Sequence, residues 1–275
     1  MKMRATTLLY HDVVPDGLWA SSGFQGADAD VYKLDCADFH RHLAAVKQRL
    51  KRGMATATEL LEHPQAAGDR PILITFDDGG VSAALYIADM LEEFGWKGHF
   101  FITAGRIGTS GFVDRAQIQD MHRRGHVIGS HSYSHPPRMA RCSATELDSE
   151  WQRSVAVLSE IVGQPVVVAS VPGGYYARRV AASAAGAGIK LLFNSEPVTR
   201  PETVDGCLVL GRFSAKRGHL PEWSAAIAAG DGRLQTQEYL FWNAKKVAKT
   251  LFGTAWLRAR VLLLERQAKG PSRRG

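Results

Sequence analysis

Apolar positions fall into short runs that end abruptly in polar residues, and the runs alternate with stretches of helical spacing. Thr6-Thr7-Leu8-Leu9-Tyr10 reads as a strand ending at His11-Asp12, and Pro71-Ile72-Leu73-Ile74-Thr75-Phe76 as a buried strand ending at Asp77-Asp78-Gly79-Gly80. Gly98 to Thr103, His126 to Ser130, Val166 to Val171, Ile189 to Asn194 and Cys207 to Leu210 are further strands. Between them, Asp38 to Leu50 is helical, with Leu43, Val46 and Leu50 on one face. Val81 to Phe94 is helical with Leu85, Ala88, Leu91 and Phe94 together and Gly95 as its stop. Asp114 to Arg124 is a short helix closed by Gly125. Ser143-Ala144-Thr145-Glu146 is a capping box opening a long helix to about Val162, and Arg178 to Ala187 is another helix. Pro15 to Asp30 has no periodicity and reads as a loop.

At least six strand–helix alternations imply parallel strands joined by right-handed crossovers, in a barrel or an open doubly wound sheet. No glycine-rich phosphate fingerprint follows the first strand, which counts against the nucleotide-binding open sheet. In a barrel, the strand C-terminal ends converge on one face. The polar groups at Asp77-Asp78, at His131-Ser132-Tyr133-Ser134-His135 and at Pro172-Gly173-Gly174-Tyr175 therefore meet there. The pattern changes near Gly232, giving a barrel over 1–232 and a helical extension over 233–275. In the extension, Gln235 to Phe252 and Thr254 to Gln267 are helical and Lys269 to Gly275 is a disordered end.

Charge alters this picture at one place. The 34 basic and 27 acidic side chains sum to +7, but from Phe241 onward there are nine Lys or Arg and one acid, leaving 25 and 26 in the body. A neutral body with a basic tail argues against a nucleic-acid groove. The tail reads first as a terminal helical pair packing on the barrel with its charges solvated, and second as a peripheral membrane or assembly-protein contact, with Phe241, Trp242, Leu251, Phe252, Trp256 and Leu257 interleaved among the cations. Cys36, Cys142 and Cys207 are widely spaced and odd in number, so no disulfide framework is expected. No apolar run near the start is long enough for a signal peptide or a membrane span, and the expected location is cytoplasmic, at most peripheral to the inner membrane surface.

Two adjacent carboxylates at the mouth of a buried strand repel each other unless a cation, a proton or hydrogen-bond donors compensate them. His131 and His135, four apart on a helix or tight turn, together with one of these carboxylates, supply three ligands and leave a position open for water, the catalytic arrangement for zinc. Such a water is a nucleophile near neutral pH, and the second carboxylate is then free to be the base. Spacing does not decide which aspartate does which.

Thr75-Phe76-Asp77-Asp78-Gly79 with His131-Ser132-x-x-His135 resembles the first two motifs of the polysaccharide deacetylases, the NodB-homology group of carbohydrate esterase family 4. Pro172-Gly173-Gly174-Tyr175 is similar to the third motif, and Tyr10-His11-Asp12-Val13 resembles a strand-end Tyr-His of exopolysaccharide members. The resemblance implies an α/β fold, a deformed (β/α) barrel, that removes acetyl groups from N-acetylated sugars of a polysaccharide or its precursor. The implied cofactor is a divalent metal, zinc first, with cobalt or nickel as alternatives. It makes Asp77 the base and Asp78, His131 and His135 the ligands. Ser132 braces the histidine loop, and the Gly173 N–H serves the oxyanion. His11, Pro172 and Tyr175 stand as supporting residues. Two departures follow. Ser170 stands where many members have an arginine that orients the base, which leaves His11, Arg212 or Arg178 to substitute. No Leu-x-x-His is found, and His219 is the late histidine offered as proton donor. Alternatives are a non-catalytic glycan-binding or scaffold protein of a polysaccharide-assembly system, or a deacylase of a small non-sugar amide.

Overall fold

A computed structural model of the chain describes residues 3–50, 53–67 and 70–246. The described strands are β1 (Thr6–Tyr10), β2 (Val13–Val14), β3 (Leu34–Asp35), β4 (Ile72–Phe76), β5 (His99–Ile102), β6 (Val127–Ser130), β7 (Val168–Ser170), β8 (Leu191–Phe193), β9 (Glu202–Val204), β10 (Cys207–Leu210) and β11 (Phe213–Ser214). Nine of them form one sheet in the order β11-β1-β4-β5-β6-β7-β8-β10-β9, and β2 pairs with β3 apart from it. Every pairing in the large sheet is parallel except that of β9 with β10. Only Gly211 and Arg212 separate β10 from β11, yet β10 pairs with β8 and β11 with β1. One bent stretch thus joins the two ends of the parallel run. The result is the deformed (β/α) barrel that the resemblance implies, one of the two arrangements the alternation allowed.

The two-residue period of a strand sorts its side chains between two layers. On β4, Ile72, Ile74 and Phe76 pack with helix residues Phe39, Leu43 and Leu91, whereas Leu73 packs with Phe101, Leu191, Phe193 and Leu210 in the barrel interior. Continuing the alternation, Thr75 and then Asp77 face inward.

The long helix Ala144–Val162 opens on the predicted Ser143/Glu146 capping box and stops at Gly163, with φ 74°. Helix Arg115–Arg123 carries a second box, Asp114 with Gln117, and Cys36–Arg49 starts from Asp35 two residues before the expected start. The helix expected over Val81 to Phe94 is corrected. It begins as a π turn, Ala83–Ile87, and becomes α-helical only at Ala88–Glu93. The wider turn shifts the phase of the face, so Ala83, Ile87, Ala88 and Leu91 are buried and Leu85 is 50% exposed. After helix Pro221–Ala228, a last helix runs over 232–246. The expectations for Thr254 to Gln267 and Lys269 to Gly275 lie outside the described residues. No helix among the described residues is long and apolar enough to cross a membrane, and the three cysteines are free thiols.

Candidate active site

Asp77 and Asp78 leave β4 in opposite roles because the backbone turns between them. Asp78 has φ 77° and the next residue, Gly79, φ 81°. Two successive left-handed residues reverse the chain at once, and glycine accepts that conformation without the steric cost of a side chain. Asp77 keeps its inward direction while Asp78 turns to the mouth.

Asp77 is almost wholly buried. Arg212 grips it with both terminal nitrogens, Nη1 2.7 Å from Oδ1 and Nη2 2.7 Å from Oδ2. The guanidinium is itself fixed, since its Nε–H donates to the Asn194 carbonyl at 2.9 Å and the Phe101 and Phe193 rings flank it. Burial alone would raise the Asp77 pKa, but the charges of Arg212 and then His131 reverse this and hold it below the usual carboxylate range. Arg212 therefore takes the part of the arginine missing from the third motif. Of the other two substitutes, Arg178 is exposed and paired with Glu202, and His11 lies close by without gripping the carboxylate.

Ser170, in the vacant arginine position, links the base to a metal-ligand candidate. Its Oγ–H donates to Asp77 Oδ1 at 3.0 Å, so the same oxygen must accept from His131 Nδ1–H, 2.6 Å away. Nδ1 also faces the Ser170 carbonyl at 3.2 Å, which can only accept. Both contacts place the proton on Nδ1 and leave the Nε2 lone pair for a ligand, the hydrogen bonding that orients a metal-binding histidine from behind.

The histidine loop is not helical, as the spacing allowed. Ser132 and His135 adopt left-handed φ values of 62° and 60°. Ser132, fully buried, braces the loop as expected: its Oγ accepts from the His135 N–H at 3.1 Å. A contact the sequence gave no sign of comes from Glu150, midway along helix Ala144–Val162. It accepts from the Tyr133 and Ser134 N–H groups at 2.9 and 2.8 Å. One glutamate among several on a helix carries no mark in sequence that it binds a loop.

Asp78 Oδ1 lies 3.4 Å from Nε2 of His131 and 3.4 Å from Nε2 of His135. One ligand atom from each of the three residues falls within 4.8 Å of the others. Ligands about 2.0–2.1 Å from a tetrahedral zinc sit roughly 3.4 Å from one another. The residues thus fit a divalent ion in both spacing and tautomer. Burial works against the charge on Asp78, but the two imidazoles bonded to it hold its pKa well below the usual value. His135 is raised in turn, burial being outweighed by Asp78 and then Asp77.

The Pro172–Gly174 turn follows β7 one residue after Ser170. Gly173 has φ 64°, and a β-carbon there would stand 3.1 Å from the Pro137 carbonyl oxygen, so the turn admits only glycine without strain. Tyr175 closes this side beneath the Arg138 guanidinium. His11, past the end of β1, packs on Tyr32, influences both Asp77 and Asp78, and has a buried Nδ1 without a hydrogen-bond partner. His219 is corrected. Its ring packs tilted against Trp223 at 4.4 Å among Lys216, Glu238 and His42, and burial pushes its pKa down to about 4. The loop after β11 carries it to the helices packed outside the barrel, and no contact brings it to Asp77 or Asp78.

Residues 65–192 match the family model described as polysaccharide deacetylase. The matched stretch, 128 of the chain's 275 residues, is similar to the polysaccharide deacetylase domain. The chain is 33% identical over 92 residues to a chitin deacetylase of Arthroderma benhamiae, a match covering 33% of this chain and 24% of that protein. It is 31% identical over 87 residues to the peptidoglycan-N-acetylglucosamine deacetylase PgdA of Listeria monocytogenes, covering 31% and 18%. The chain spans well under half the length of these two curated relatives. Its fold is shared with the Streptococcus pyogenes deacetylase PplD, at TM-score 0.67 and 18% identity over 81% of this chain and 96% of that one. It is shared equally with IcaB of Ammonifex degensii, at TM-score 0.66 and 21% identity over 83% and 98%. The chain departs from the third motif as the sequence resemblance describes it by a serine at 170, with an arginine arriving instead from the bend between β10 and β11.

Proposed function

We propose that this chain is a metal-dependent hydrolase that removes acetyl groups from N-acetylated sugars of a polysaccharide or its precursor. The observation that carries the reading is the division of labour between neighbouring carboxylates, with Asp78 turned to His131 and His135 and Asp77 held by Arg212 and Ser170. The non-catalytic alternative rested on the missing arginine and on the lack of a clear acid, and Arg212 answers the first of these.

Asp78, His131 and His135 would hold a divalent ion, zinc in preference to cobalt or nickel, which would supply Lewis-acid polarisation of the acetamide carbonyl and a more acidic water. Asp77, kept ionised and kept from ligation by the guanidinium on both its oxygens, accepts the proton of the water that adds to the carbonyl carbon. The Gly173 N–H is the donor assigned to the developing oxyanion, which a backbone donor stabilises without a side chain in the way. His11 replaces His219 as donor to the leaving nitrogen. It stands beside both aspartates and its Nδ1 has no other partner. The C–N bond breaks, giving acetate and a free amine.

The test is a time course of acetate release from N-acetylglucosamine oligomers, the first choice because a relative bears that sugar in its name. Release with added Zn²⁺ or Co²⁺ that Asp77→Asn abolishes supports the reading. Glycan binding with no acetate at any metal loading ends it.

A further inference from the structure

Two guanidiniums stand beside the histidine loop at the mouth of the site, each against an aromatic ring. Arg106 ends the short turn Ala104–Arg106 beyond β5, and backbone hydrogen bonds lace that turn to the loop. The Ala104 N–H donates to the Ser132 carbonyl at 3.2 Å and the Gly105 N–H to the Tyr133 carbonyl at 2.8 Å. The Arg106 guanidinium carbon lies 5.6 Å from the centre of the Phe24 ring and 6.0 Å from that of Phe112. Phe24 in turn packs 4.7 Å from the ring of His135. Arg138, three residues after His135, lies 5.6 Å from the Tyr175 ring centre, beside the Gly173 turn that abuts the Pro137 carbonyl.

The rings that carry Arg106 are tied to the turn that bears the aspartates. Phe112 bridges to Gly80, two residues past Asp78, and the Gly111 carbonyl accepts from Val81 at 2.9 Å and from Gly23 at 2.8 Å. Ser22, two residues before Phe24, donates its hydroxyl to the buried Asp12 carboxylate at 2.5 Å. A guanidinium held against rings fixed in this way is attracted to their faces and loses less freedom when it takes up a ligand. Arg106 is exposed and Arg138 half-buried. Among the described residues neither has a carboxylate within ion-pair distance, whereas Arg115, Arg124, Arg178 and Arg212 each have one. The acids nearest the loop are committed elsewhere, Glu150 to the Tyr133 and Ser134 N–H groups, Asp78 to the histidines and Asp77 to Arg212.

We infer that Arg106 and Arg138 bind acidic groups, carboxylate or phosphate, carried by the units that flank the sugar being deacetylated, so that the substrate is an acidic N-acetylated glycan. A neutral glycan offers nothing to compensate two such cations, whereas the planar fork of a guanidinium matches a carboxylate or a phosphate oxygen pair. The inference rests on the deacetylase reading and narrows its substrate class.

Full-length protein is titrated against oligomers of equal length, end-labelled with a neutral dye, and binding is read by fluorescence anisotropy. One oligomer is N-acetylglucosamine alone, one alternates it with glucuronic acid, and one joins it through phosphodiesters. At low salt an acidic oligomer is expected to bind about tenfold more tightly than the neutral one, the glucuronate oligomer if the group is a carboxylate and the phosphodiester oligomer if it is a phosphate. High salt should remove the difference, a measurement on the parent that needs no variant. Arg106→Gln with Arg138→Gln, shown folded by circular dichroism, should remove it at low salt as well. Equal binding of the three oligomers by the parent, or an acidic preference that the double variant keeps in full, overturns the inference. The deacetylase reading fails separately, on acetate release, and the binding comparison decides this inference with or without turnover.

Discussion

Arg212 reaches Asp77 across 135 residues of chain, and its two terminal nitrogens sit 2.7 Å from the two carboxylate oxygens. The pair lies at the bend where the stretch holding β10 and β11 passes from one end of the sheet to the other. The residue that completes the barrel thus also orients the base. Breaking a buried pair from one side leaves an uncompensated charge and typically costs about 3–5 kcal/mol. Arg212→Met is expected to lower unfolding free energy by roughly that amount in a denaturant titration. Arg212→Lys keeps the charge but loses the fork, so it should retain most of the stability and still lose about tenfold or more in kcat.

Ser170 connects Asp77 and His131 through one hydroxyl. Ser170→Ala removes the link and leaves both neighbours in place. Its expected signature is a drop in metal affinity of about tenfold, in line with other losses of a group behind a metal-binding histidine. Competition with a chromophoric chelator measures it.

His131→Ala and His135→Ala remove ligand atoms, whereas Asp77→Asn removes the base. The histidine variants should lose both bound metal and acetate release. Asp77→Asn should hold metal, scored by elemental analysis, while turnover falls by about 10² or more, the scale of general-base catalysis. A chelator should silence the parent and leave its fold intact, because Asp77 and Arg212 remain paired without the ion.

His99 sets a pH limit on stability. Both its nitrogens are committed, Nδ1–H to the Ile74 carbonyl at 2.7 Å and Nε2 to the Ala57 N–H at 2.7 Å, so only the neutral ring fits. Burial drives its pKa down to about 4, well under the unfolded value near 6.5. The folded state then binds fewer protons than the unfolded state in that interval. Stability is whole above pH 6.5 and declines as pH falls toward about 4, by roughly 3 kcal/mol at most from this group. Thermal melts across that range should show the slope, and His99→Gln should flatten it.

The strands, their abrupt polar ends and the helix caps were legible because they depend on residues near one another in sequence. The alternation Leu73, Thr75, Asp77 follows from the period of a strand, and the box at Ser143 and Glu146 from a four-residue reach. The motif pair at Asp77-Asp78 and His131 to His135 named the site for the same reason. Other features had no local sign. The π turn at Ala83–Ile87 moved Leu85 to the surface through a single extra residue in the hydrogen-bond ring. His219 looked like a donor by its lateness in the chain, but the helices outside the barrel claim it.

By itself, then, the sequence determined a parallel strand–helix barrel, a carboxylate pair at a strand end and a histidine pair beside it, since each is written in short-range spacing. The tertiary structure decided how Asp78 leaves the strand's alternation to turn to the histidines, which spacing left open, and that Arg212, among three candidates, holds Asp77. Those choices rest on left-handed backbone at Asp78, Ser132 and His135 and on the bend between β10 and β11. Long-range pairing of strands imposes them, and no neighbour in the chain encodes them.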